Sequence, residues 1–85
     1  MDISRDQQRV LHALAQGGLI RLVKNDKGRM EDLEFYNRDG WRMPSIPPIL
    51  FNKLRRKKAI ASRDGGPYRI TRRGLELVRS EFDNR

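Results

Sequence analysis

The chain has no cysteine, a single histidine and no long apolar run among its 85 residues. Without cysteine there is no disulfide framework, no thiol nucleophile and no Cys-ligated zinc. His12 alone supplies too few ligands for a histidine-based zinc site. No segment approaches the ~18 apolar residues that span a bilayer. The opening Met1-Asp2-Ile3-Ser4-Arg5-Asp6 is polar and acidic, unlike a secretory signal. Together these absences predict a soluble, cytoplasmic protein without a membrane partner. Apolar residues make up 36% of the chain. A chain this short buries only about 60–65% of its unfolded surface. One domain over residues 1–85 is expected, with a modest core and no roofed catalytic cavity.

Catalytic groups are equally sparse. His12 has no acid or nucleophile at a recognisable spacing, so it is expected as a packed, singly hydrogen-bonded histidine on the first helix. Gly65-Gly66 lacks the glycine spacing and the Lys-Ser/Thr of a phosphate loop. Glu31, Asp32 and Glu34 read as a solvated strand face, with weak divalent-cation binding as the other option. The residues point to no enzyme, no cofactor and no metal.

What the chain does have is positive charge, concentrated in one place. It carries 19 Lys+Arg against 11 Asp+Glu, a net charge of +8. Residues 1–52 hold eight basic and seven acidic side chains, whereas residues 53–73 hold nine basic and one acidic. The nine are Lys53, Arg55, Arg56, Lys57, Lys58, Arg63, Arg69, Arg72 and Arg73. A surface that only keeps a protein soluble mixes its signs. This asymmetry marks a candidate binding surface for DNA or an acidic protein. Cations in a helix's last turn are favoured by its dipole, which accounts for one or two of the five between Lys53 and Lys58. It does not account for five that repel one another.

Ser4 followed by Gln7 is a capping box, and Val10, Leu11, Leu14 and Ala15 continue at helical spacing to Gly17-Gly18. The first helix is therefore predicted over 5–16. Leu19 to Val23 reads as a strand, residues 29–36 as a second with Leu33 and Phe35 on one face, and Trp41-Arg42-Met43 as a third. Asn25-Asp26-Lys27-Gly28 and Asn37-Arg38-Asp39-Gly40 are the turns of this meander. Ser45 is expected to cap a second helix, with Pro47 and Pro48 in its first turn. Leu50, Phe51 and Leu54 form its inner face, and Lys53, Arg56 and Lys57 its outer face. Residues 59–62 and 68–70 make a hairpin around Asp64-Gly65-Gly66. Thr71 caps a last helix with Leu75, Val78 and Phe82 inside. The expected core is Leu11, Leu14, Phe35, Leu50, Leu54, Ile60, Ile70, Leu75 and Val78.

Arg72 and Arg73 fall in the first turn of that last helix, where the dipole disfavours cations. Free N–H groups make a helix N-terminus an anion site, and guanidinium groups bind oxyanions in a bidentate way. Arg72 and Arg73, with Arg69 on the strand and Arg63 near the hairpin tip, form a candidate anion-binding patch.

A basic helix, a hairpin with a basic tip and a capped helix follow the order of a winged helix. Pro67-Tyr68-Arg69-Ile70-Thr71-x-x-Gly74 is similar to the end of many wings. The fold expected is therefore α+β and winged-helix-like, with three helices, a small antiparallel meander and a C-terminal wing hairpin. The chain departs from the pattern where residues 19–43 read as strands instead of the helix that normally supports a recognition helix.

Over its whole length the sequence also resembles the YjhX-type toxin family. The likeness is carried by Ser4-Arg5-x-x-Gln8-Arg9-x-Leu11-His12-x-Leu14-Ala15-x-Gly17-Gly18, then Gly28, Tyr36 and Gly40. It continues through Phe51-x-Lys53-Leu54, Lys57-Lys58-x-Ile60, Gly66-Pro67-Tyr68-Arg69-Ile70, Gly74, Val78-Arg79 and Asp83-Asn84-Arg85. The resemblance implies a bacterial toxin–antitoxin pair, with an acetyltransferase-like antitoxin and a toxin that inhibits DNA topoisomerase I. Two classes of function stay open: an interaction toxin that blocks a DNA-processing enzyme, and a winged-helix transcriptional regulator that binds DNA.

Overall fold

The computed structural model describes residues 4–83, with side chains through Arg79. Its elements are α1 (Arg5–Ala15), β1 (Leu19–Lys24), β2 (Met30–Tyr36), β3 (Arg42–Met43), α2 (Pro48–Arg56), β4 (Ile60–Ser62), β5 (Tyr68–Ile70) and α3 (Arg72–Asp83). The five strands form one antiparallel sheet in the order β3-β2-β1-β5-β4. The fold is α+β. The meander and the C-terminal hairpin, which read as separate units in the sequence, are joined where Ile20 pairs with Tyr68.

Local chemistry explains each boundary. The Ser4 hydroxyl accepts the Gln7 N–H at 3.2 Å and opens α1. Helix α1 ends in a Schellman motif, with Gly17 N–H bound to the Leu14 carbonyl and Gly18 N–H to that of Ala13. Gly17 sits at φ 113°, a conformation that side chains rarely adopt. The two meander turns repeat one design. Asn25 Oδ1 accepts from the N–H groups of Lys27 and Arg29, and Asn37 Oδ1 accepts from those of Asp39 and Trp41.

Helix α2 starts differently from expectation. Its N-cap is Pro47, with no side-chain cap, and Ser45 lies exposed two residues upstream. A residue before proline is pushed out of the helical region, so Pro48 holds Pro47 extended, at ψ 137°. The helix begins at Pro48, whose missing N–H has no intrahelical partner to lose.

The core draws on every helix and on β1, β2 and β4. It contains Val10, Leu11, Leu14, Ile20, Leu33, Phe35, Ile46, Phe51, Leu54, Ala59, Ile60, Leu77 and Val78. Leu50 and Ile70 are only partly buried against it. Leu75, expected inside, is 42% exposed. The buried face of α3 is Gly74, Leu77 and Val78, one helical step away. Gly74 sets that rotation: a Cβ there would collide with the Ala59 carbonyl oxygen and come 2.6 Å from the Ile70 side chain. The expected inner-face Phe82 lies outside the residues whose side chains are described. His12 is exposed, not packed, because α1 buries Gln7, Val10, Leu11 and Leu14 and position 12 points off that stripe. The Gln16 side-chain amide approaches its Nε2 at 3.3 Å.

Candidate functional site

The nine cations of residues 53–73 separate into two groups. Two of the five at the end of α2, Arg55 and Lys57, have side chains engaged by the fold. Arg55 lies over the Phe51 ring at 5.7 Å and the Tyr68 ring at 5.9 Å. These two rings meet edge to face at 5.0 Å and tie α2 to β5. Lys57 does not share the outer face with Lys53 and Arg56. It is half-buried and turned toward α1, where its Nζ donates to Gln7 Oε1 at 2.8 Å. Gln7 is only 4% exposed, so this bond satisfies a buried amide.

Lys58 occupies the left-handed position at φ 59° that closes α2. Its N–H bonds the Arg55 carbonyl and the next N–H, of Ala59, bonds that of Leu54. This is the same Schellman motif that closes α1, here with lysine in the glycine position. The Lys58 carbonyl in turn accepts the Thr71 hydroxyl at 2.6 Å. Lys53 and Arg56 stay exposed, with Ile49 and Asn52, at spacings of three and four along one helix face.

The hairpin cations are arranged differently. Asp64 and Gly65 both have positive φ, and Gly66 N–H closes the turn on the Arg63 carbonyl at 3.0 Å, the pattern of a type I′ turn. Ser62 Oγ donates to the Gly66 carbonyl at 2.6 Å and firms the tip. Tyr68 and Ile70 face inward on β5, so Arg69 faces out, opposite the small Ala61. Thr71 caps α3 as expected, its hydroxyl accepting the Gly74 N–H at 3.1 Å.

These elements bring Arg63, Arg69 and Arg72 to one open groove of about 670 Å³, shared with Ala61, Ser62, Pro67, Ile70 and Thr71. No carboxylate among the described residues lines it. Among the described residues none of the three arginines has a hydrogen bond or ion pair from its side chain. Arg73, expected in the same patch, reaches along α3 to Glu76 at 3.7 Å and does not line the groove. Three unpartnered guanidinium groups at a helix N-terminus suit an oxyanion.

Within the acidic cluster Glu31 stays exposed, and the other two carboxylates are paired. Arg42 holds Asp32 at 3.2 Å and Glu34 at 3.8 Å, and the Tyr36 hydroxyl donates to Glu34 at 3.1 Å. Arg21 and Arg38, which sequence reasoning left unassigned, border a second groove beside Arg69. Strand alternation places Arg21 on the outer sheet face, opposite Glu34, whereas Arg38 lies in the β2–β3 turn, which alternation does not reach.

A family model described as "Putative toxin of bacterial toxin-antitoxin pair" matches residues 1–85. The chain belongs to this YjhX toxin family. Membership implies an antitoxin protein as partner. A "UPF0386 protein" of Chelativorans sp. is 59% identical over 85 residues, covering all of both chains. One from Hyphomonas neptunium is 58% identical over 84 residues, 99% of each chain. One from Mesorhizobium japonicum is 62% identical over 78 residues, 92% of this chain and 79% of the relative. No solved structure matches the chain. No helix among the described residues is long and apolar enough to cross a membrane.

Proposed function

We propose that this YjhX-family protein is a non-catalytic toxin that binds duplex DNA and so blocks a DNA-processing enzyme, topoisomerase I by family resemblance. The observation that carries this reading is the carboxylate-free groove holding Arg63, Arg69 and Arg72. Guanidinium groups stay protonated at all physiological pH values, so they bind phosphate without transferring protons. That chemistry suits occupation of a backbone rather than catalysis. In the winged-helix reading the same groove belongs to the wing, with α2 as the neighbouring helix. An acetyltransferase-like antitoxin that presents carboxylates to these arginines would mask the toxin in the cytoplasm, where bacterial DNA lies.

One observation favours a second reading, a winged-helix transcriptional regulator. The exposed row Ile49, Asn52, Lys53 and Arg56 on α2 mixes an apolar contact with an amide and two cations, a set that reads base edges. The test pairs two assays on the purified protein. Duplex binding with little sequence preference, together with inhibited supercoil relaxation, supports the toxin. Inhibition should then fall in step with DNA affinity when Arg63 and Arg72 are changed to Gln. Strong preference for one sequence without inhibition supports the regulator. Inhibition by a variant that no longer binds DNA would show direct contact with the enzyme instead.

A further inference from the structure

The outer face of the sheet carries a second groove, and we infer that it binds single-stranded nucleic acid. This inference rests on the nucleic-acid reading above and extends it to a different substrate form. The groove is open, with a volume of about 720 Å³, and runs across β1 and β5. On one side it is walled by the β2–β3 turn, with Asn37, Arg38 and Gly40, and on the other by Gly65, Gly66 and Pro67 of the hairpin.

Its charge is of one sign. Arg21, Arg38 and Arg69 line it, and among the described residues no carboxylate does. Glu34, opposite Arg21 in the β1–β2 ladder, is taken up by Arg42 and the Tyr36 hydroxyl. None of the three arginines has a side-chain hydrogen bond or ion pair among the described residues. Arg38 is nonetheless held in place. Its Cβ, Cγ and Cδ lie against Gly17, at 3.2, 3.6 and 3.7 Å from where a Cβ on that glycine would be. A side chain at position 17 would press on the Arg38 stem.

The groove also offers a ring. Tyr36 lines it from the outer face of β2, half-buried, with its hydroxyl fixed on Glu34. Cations that track a backbone beside exposed aromatic faces are how proteins hold single strands, since unpaired bases stack on such rings. A duplex keeps its base faces inside its own stack, and a groove walled on two sides by turns gives it only the rims to touch. Arg69 borders both grooves, so the single-strand groove adjoins the wing groove assigned to duplex backbone.

The experiment measures binding of a short single-stranded oligonucleotide, the matching duplex and an abasic single strand of equal length. Affinity is followed by anisotropy. The wild type should bind the single strand, and the abasic strand several-fold more weakly. Arg21→Gln with Arg38→Gln should weaken single-strand binding by about tenfold and flatten its salt slope by ~0.7 for each phosphate no longer neutralised. Duplex binding by that variant should be unchanged. Tyr36→Leu should weaken the single strand and spare the duplex. Wild-type binding to duplex but not single strand overturns this inference alone. Equal losses on both forms, or equal affinity for the abasic strand, also overturn it. Failure to bind either form overturns it together with the function proposed above.

Discussion

The end of α2 and the stretch from the hairpin to the start of α3 are both basic, yet the fold uses their cations differently. On α2, Arg55 covers an aromatic pair, Lys57 satisfies a buried amide and the Lys58 backbone closes the helix. On the hairpin and the start of α3, Arg63, Arg69 and Arg72 share one groove and hold nothing. Charge density alone does not mark a binding site. What marks it is several cations gathered in one groove and left without a partner.

The sharpest way to break this comparison is at Lys57. Lys57→Met leaves the Gln7 carbonyl oxygen buried without that partner and should cost ~1–3 kcal/mol in urea denaturation. In a Gln7→Leu background the same change should cost much less, since both polar groups are then gone. Additive losses would show that Lys57 acts elsewhere. Arg55→Ala should cost about 1 kcal/mol, because Phe51 and Tyr68 lose the guanidinium stacked on them, and leave duplex binding within about twofold. Lys58→Gly should raise stability by about 1 kcal/mol, because glycine adopts the left-handed conformation without strain. On the other side of the comparison, Arg72→Gln should move stability by no more than ~0.5 kcal/mol, as an exposed cation disfavoured by the α3 dipole.

Much of this fold was legible in the residues. Turn and cap chemistry located α1, α3 and the strands, because the Ser4 and Thr71 caps, Asn-x-x-Gly and Asp-Gly-Gly act locally. Errors arose where distant contacts decide. The inward face of α3 is set by Gly74 against the Ala59 carbonyl, a contact that no local period reveals, and so Leu75 was misplaced and Leu77 missed. Ser45 has the chemistry of a cap, but the consecutive prolines fix the helix start at Pro48. The candidate site was half legible. Its arginines stand out as a run, but Lys57's inward turn depends on Gln7, 50 residues away. Arg21 and Arg38 were hidden in a charge-balanced stretch, because their groove forms only when β5 pairs with β1.

The most direct test of the division between working and waiting cations is the salt dependence of duplex binding by the triple variant Arg63→Gln, Arg69→Gln, Arg72→Gln. The expected result is a slope reduced by ~0.9 for each phosphate no longer neutralised, with an unchanged thermal midpoint. An unchanged slope, or a protein that melts well below wild type, would contradict the account by showing that these arginines serve the fold or nothing at all.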